Sequence, residues 1–329
     1  MKIFFAGIGF ESLREILIKK INEKNQKIKT NEKLELVFQD HSKTLASQVE
    51  DASVLIPTME KIDKEIIKSA QKLQLIQQFG VGLEGVDIKF ATDSKIYVAN
   101  AAGTNGITVA ESVIFLMLAL SKRLNKIEEH FENGELGQPV GNELYNKTLG
   151  IIGLGNSGKE LAKRAKAFNM KLIAIKKNVN PDLADKLGLD FLGTPKDLDY
   201  ILKNSDYISL NLPANKETIN LLDESKFLLM HKRPFIINCA RGPIIERKAL
   251  KKALENDLIS GAALDVFWEE PPNPNDSIFE YKNVIATPHI AGTSHESIFR
   301  MADIVVHNIL SIFNKDYENL KCVVNNFSN

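Results

Sequence analysis

Cysteine is scarce in this chain of 329 residues: Cys239 and Cys322 are the only two, far apart and without metal-ligand spacing. A disulfide framework and a cysteine-built metal centre are therefore excluded, and a reducing, cytoplasmic setting is expected. Net charge is also missing, because 42 Lys and Arg balance 42 Asp and Glu. The chain as a whole has no electrostatic reason to bind nucleic acid or an anionic membrane surface. Long apolar runs are lacking as well. The most apolar stretch, Val113 to Leu120, is too short to cross a bilayer, and the opening MKIFFAGIGFESLREIL lacks the uncharged core of a signal peptide. No internal repeat or low-complexity segment is evident. A composition 44% apolar then supports two sizeable cores rather than one.

What is present is organised around Lys147 to Gly158, KTLGIIGLGNSG. A short apolar strand, Thr148 to Ile152, enters the G-x-G-x-x-G turn Gly153-Leu154-Gly155-Asn156-Ser157-Gly158. Leu161, Ala162, Ala165 and Phe168 follow at helical spacing. Gly153 permits the tight turn, Gly155 admits a pyrophosphate to the backbone, and Gly158 lets the helix lie close to the strand. Strand, turn and helix in register make this a dinucleotide site, which a glycine triplet alone does not.

Before this motif, residues 1 to 100 alternate strands (Ile3–Ala6, Leu34–Phe38, Val54–Ile56, Leu73–Ile76, Ile96–Val98) with helices (Glu11–Lys24, Lys61–Ala70). That alternation predicts a parallel sheet covered on both faces. Gly7-Ile8-Gly9 imitates a second nucleotide loop but has Ser12 at the third glycine position, so we reject it. Phe79 to Gly85, FGVGLEG, is glycine-rich at a strand's C-terminal end. It reads equally as a plain turn or as a small-anion loop with N–H groups at Val81 and Gly82. Asn105 to Phe131 reads as one long helix, apolar almost all round in its middle, which must be buried between layers, domains or subunits. Glu132 to Asn146 reads as a loop.

Beyond the motif, strands are expected at Leu172–Ile175, Tyr207–Leu212, Phe235–Cys239, Ala262–Val266 and Val284–Ala286, six with the first. A last helix runs from His295 to about Phe313. The expected fold is α/β with two doubly wound parallel-sheet domains. One spans 1–100 and 294–329 and is discontinuous; a Rossmann domain, 101–293, is inserted into it.

Three residues follow late strands of that Rossmann domain: Arg241, Glu270 and His289. Strand C-terminal ends form the edge where a dinucleotide lies, so the three converge on its nicotinamide end. The set suits reduction of a 2-oxo acid. Arginine holds a carboxylate and polarises the carbonyl, histidine gives the proton, and a carboxylate keeps that histidine protonated.

With FGVGLEGVD (79–87), TNGITVAE (104–111), GLGNSG, NCARGPII (238–245), ALDVFWEEPP (263–272) and TPHIAG (287–292) in this order, the chain resembles the D-isomer-specific 2-hydroxyacid dehydrogenases over nearly its whole length. Phosphoglycerate dehydrogenases and glyoxylate/hydroxypyruvate reductases belong to that family. The resemblance implies that Arg241 binds substrate, His289 is the acid/base and Glu270, rather than Glu269, is its partner. It implies that Val81 and Gly82 N–H groups hold the substrate carboxylate in a flavodoxin-like domain. It also implies that Asp265 bonds the nicotinamide carboxamide. Cofactor contacts are expected from Gly153, Gly155, Asn156, Ser157, Gly158, Lys176, Lys177, Cys239, Ala240, Asp265, His289 and Gly292. No metal is expected, and a homodimer through 105–131 is.

Two departures from the family pattern stand out. The second Rossmann strand ends Ala174-Ile175-Lys176-Lys177, where NAD users carry an acidic residue for the ribose hydroxyls. Two lysines attract a 2′-phosphate, so NADP(H) is expected over NAD(H); the alternative is a solvated strand end that still uses NAD. Leu136, in GELGQPVG, stands where some relatives carry a tryptophan that shapes the substrate pocket, which leaves substrate size open. The expected reaction is reduction of a small 2-oxo acid of the glyoxylate or hydroxypyruvate kind. Its rivals are 3-phosphoglycerate oxidation and, in another class, a nucleotide-sensing corepressor, which the lack of extended polar tails disfavours.

Overall fold

Parallel strands need long crossovers, and the helices between them supply these in both halves of the chain. The structure is a computed structural model that describes residues 1–7, 11–29 and 31–327. It divides into two compact units, Met1–Asn105 with Ser294–Asn329, and Gly106–Thr293.

The first unit holds β1 (Lys2–Phe5), β2 (Glu35–Phe38), β3 (Val54–Ile56), β4 (Leu75–Gln77) and β5 (Tyr97–Ala99). Their order is β2-β1-β3-β4-β5, all parallel, the flavodoxin-like arrangement. The central strands are buried on both faces, which is why they read as unbroken apolar runs. Helix His295–Phe313 lays Ile298, Met301, Ala302, Val305 and Ile309 into this core. The sequence reading omits one short helix here, Ile88–Asp93, capped by Asp87 through the Phe90 N–H. Of the rejected nucleotide loop, Ile8 and Gly9 lie outside the described residues, and Ser12 lies in helix Glu11–Lys27.

The second unit holds β6 (Thr148–Ile152), β7 (Lys171–Ile175), β8 (Phe191–Gly193), β9 (Tyr207–Leu210), β10 (Phe235–Asn238), β11 (Gly261–Leu264) and β12 (Val284–Ala286). The order β12-β11-β10-β9-β6-β7-β8 puts the glycine motif's strand at the point where the chain reverses direction across the sheet. The expected count of six is corrected to seven: β8 is a three-residue edge strand paired to β7 through Ile173–Phe191, Ala174–Leu192 and Ile175–Gly193. The expected single helix over 105–131 is also corrected. Gly106–Ser121 and Leu124–Glu132 are separate helices, broken where Arg123 takes left-handed backbone, φ 54°. The first lies against helix Asn156–Ala167 and the sheet, with Val113, Leu116 and Met117 buried. Among the described residues, no helix is long and apolar enough to cross a membrane.

Candidate active site

The glycine turn fits a dinucleotide at the level of single atoms. Gly153 has φ +99°, and a Cβ there would stand 2.4 Å from the Asn211 carbonyl oxygen. A Cβ on Gly158 would stand 2.3 Å from the Gly153 carbonyl oxygen, so helix and turn touch through backbone alone. Gly155 differs, because a Cβ there meets nothing within 4 Å. It precedes helix Asn156–Ala167 and offers no side-chain cap, so that helix's first N–H groups face the open space where a pyrophosphate would sit. Two substitutions separate these roles. Gly158→Ala should cost about 1–3 kcal/mol of stability, read as a lower urea midpoint. Gly155→Ala should keep the midpoint and weaken dinucleotide binding in a fluorescence titration. Equal midpoints for all three proteins would refute the backbone contact at Gly158.

The two lysines after β7 are placed differently. Lys176 is half-buried with its Nζ 3.4 Å from the Leu154 carbonyl oxygen, over the glycine turn. Lys177 is exposed and lies 3.5 Å from Glu217.

Arg241, Glu270 and His289 arise from three loops that leave the same edge of the sheet. Asn238, the buried last residue of β10, braces the first loop. Its amide donates to the Arg241 carbonyl at 2.9 Å and its oxygen accepts from the Ala240 N–H at 3.1 Å. Gly242 lets that loop meet the next, since a Cβ there would stand 2.0 Å from the Phe267 carbonyl oxygen. The Trp268 indole ties the same two loops by donating to the Ile245 carbonyl at 2.6 Å. Glu270 is thereby fixed at both oxygens. One accepts the Phe267 N–H at 3.0 Å, and the other lies 2.5 Å from Nδ1 of His289. Glu269 is exposed instead. Burial acts to raise the carboxyl pKa of Glu270, but the His289 hydrogen bond and charge, the Phe267 N–H and the Arg241 charge outweigh it. The net shift is downward, so Glu270 is ionised at neutral pH. With Nδ1 engaged, Nε2 is the ring nitrogen available to a reacting oxygen.

His289 takes left-handed backbone, φ 54°, which costs a non-glycine residue roughly 1–2 kcal/mol. Asp265, 1% exposed, holds it there. Its Oδ1 accepts from the Thr287 hydroxyl at 2.6 Å and the Ile290 N–H at 2.9 Å, and Oδ2 accepts from the Ala291 N–H at 2.8 Å. Burial, the largest influence, leaves the Asp265 carboxyl above the usual carboxylate range despite these bonds. Ser112 adds a fourth tie, donating to the Ala291 carbonyl at 3.0 Å. Cys239 packs beside Asp265, and burial pushes its thiol well up, so it is an inert apolar neighbour. Gly292 ends the loop in a turn.

The brace by Asn238 and the clasp by Trp268 escape the sequence reading. A polar residue closing the buried strand FIIN, just before a loop, is the signal for the first. Val81 and Gly82 lie in the first unit, where Val81 is exposed and its carbonyl accepts from the Asn100 amide at 2.8 Å. Leu136 is 97% exposed on the second unit. Among the described residues no group of His, Cys, Asp and Glu could hold a metal.

The profile described as "D-isomer specific 2-hydroxyacid dehydrogenase, NAD binding domain" matches residues 114–291. A glyoxylate reductase of Thermococcus litoralis is 37% identical over 79% of this chain and 80% of its own length. A D-3-phosphoglycerate dehydrogenase of Archaeoglobus fulgidus is 36% identical over 79% of this chain but only 49% of its own length. Among solved structures, an NADPH-dependent glyoxylate/hydroxypyruvate reductase of Sinorhizobium meliloti, in complex with NADP and malonate, superposes with a TM-score of 0.82. That match has 25% identity and covers 98% of this chain and 96% of the other.

Proposed function

The chain belongs to the D-isomer-specific 2-hydroxyacid dehydrogenase family and is an NAD(P)-dependent oxidoreductase, and from that premise we propose that it reduces small 2-oxo acids of the glyoxylate or hydroxypyruvate kind with NADP(H). The observation that carries the chemistry is the 2.5 Å pair between Glu270 and His289, one loop away from Arg241. When bound, the dinucleotide supplies the hydride. Arg241 would hold the substrate carboxylate and draw charge from the adjacent carbonyl. Val81 and Gly82 N–H groups are proposed as further carboxylate donors. His289 Nε2 would give its proton to the carbonyl oxygen as that oxygen gains charge, and ionised Glu270 stabilises the protonated ring through Nδ1.

The preference for NADP(H) rests on Lys176. Its ammonium stands over the glycine turn where the adenosine end would lie, and no acidic residue occupies the strand end. Lys177 contributes less, since Glu217 offsets it. We expect kcat/KM for NADPH about 10-fold or more above that for NADH, from one desolvated charge pair. Lys176→Asp should reverse the order. Equal values, or a preference for NADH in the native chain, would remove the proposal.

Glyoxylate and hydroxypyruvate are proposed ahead of 3-phosphohydroxypyruvate on the likeness to the glyoxylate reductase, 37% identical over 79% of this chain. Comparing the three acids with one reduced cofactor decides this. A homodimer is proposed through the second unit, where Phe115, Leu124, Ile127 and Phe131 expose apolar surface on the two helices that replace the expected one.

A further inference from the structure

The edge of the seven-stranded sheet opposite His289 carries a second concavity, of about 430 Å³. It lies where β10, β11 and β12 begin, at Phe235, Ser260 and Asn283, and is closed by the helix break around Arg123. Five cations line it: Arg123, Lys126, Lys232, Arg233 and Lys282. No acidic side chain does, although acids and bases are equal in number, 42 each, over the chain. The remaining lining is four neutral hydrogen-bonding side chains, among them Asn142 and Asn283, over a floor of Leu120 and Phe235.

Three of the cations have acidic partners that are not part of the lining. Lys232 is 3.8 Å from Asp206, Arg233 is 3.0 Å from Asp257, and Lys282 is 3.6 Å from Glu129. Such exposed pairs are worth little, so these cations can turn to a ligand at small cost. Arg123 and Lys126 take part in no ion pair among the described residues. Like charges gathered in one concavity repel, and an anion of two or more charges relieves that repulsion. Arg123 and Arg233 both stand at left-handed positions, φ 54° and 52°, where glycine or asparagine would fit at less cost. The volume suits a small metabolite rather than a polymer.

We propose that this concavity is a binding site for a small polyvalent oxyanion, a phosphorylated or polycarboxylic metabolite, separate from the dinucleotide groove. The test uses the full chain saturated with NADPH, so that the groove is filled, and inorganic pyrophosphate as probe in a calorimetric titration. Saturable one-to-one binding is expected at about 0.15 M ionic strength, where diffuse attraction is screened. The double variant Arg123→Gln, Lys232→Gln should bind about 100-fold more weakly, since each lost charge-assisted bond contributes about 1.4 kcal/mol or more. Lys196→Gln, which removes a charge elsewhere on the surface, should bind like the native chain. A melting curve for each variant verifies folding. Absence of saturable binding to the native chain overturns the proposal, as does unchanged affinity in the double variant or an equal loss in Lys196→Gln. The titration needs no turnover, so His289→Ala should bind pyrophosphate like the native chain, and failure here is distinguishable from failure of the proposed reaction.

Discussion

His289→Ala should lower kcat for reduction of a 2-oxo acid by about 10²–10⁴-fold, the usual contribution of a positioned proton donor. The KM for NADPH should change little, because in the proposed reaction the imidazole meets the reacting oxygen and not the adenosine or phosphate groups. The native chain should also lose activity in acid, as the Glu270 carboxylate becomes protonated. That carboxyl is held below the usual range, so it is an anion at neutral pH, 2.5 Å from Nδ1. Glu270→Gln removes that anion and leaves a neutral partner at Nδ1, so kcat/KM should fall at neutral pH and lose its acid limb. Retention of near-native kcat by His289→Ala across neutral pH would show that another group gives the proton.

Legibility followed the physics of each feature. β6 and its turn were readable because three glycines at fixed offsets have one economical explanation, a backbone contact with the helix and an open phosphate seat. The core strands were readable because a parallel sheet covered on both faces demands apolar runs, as in Val54–Ile56 and Leu149–Ile152. β8 was missed because Phe191–Gly193 is an edge strand of three residues, too short to show a period. The break at Arg123 was missed because neither glycine nor proline marks it, and the apolar spacing of Leu124, Ile127 and Phe131 continues a helical pattern past it. Arg241, Glu270 and His289 were readable as strand-end residues, but what holds them was not. Asn238, Gly242 and Trp268 act across loops distant in sequence, and only coordinates place the Trp268 indole on the Ile245 carbonyl. The two lysines looked equivalent in sequence; Glu217, forty residues on, makes them different.

Asp265→Asn should reduce kcat by about 10–10²-fold through the loop that carries His289. Three donors converge on the Asp265 carboxylate, from Thr287, Ile290 and Ala291. An asparagine presents only one acceptor oxygen, so its NH2 group must face at least one of these donors. A buried N–H left without a partner costs about 1–3 kcal/mol, comparable with the cost of holding His289 at φ 54°. The loop can then relieve its own strain by letting the imidazole leave Glu270. The lost charge acts in the same direction, because Asp265 and His289 attract when ionised and protonated. Asp265 also has the capacity, with four lone-pair positions and three donors, to accept a carboxamide N–H from the cofactor. The two roles separate in the kinetics. Loss of loop support lowers kcat, whereas loss of a carboxamide bond alone raises the KM for NADPH. If Asp265→Asn raised that KM while kcat stayed native, Asp265 would be a cofactor contact and His289 would owe its position to Ser112 and Glu270 instead.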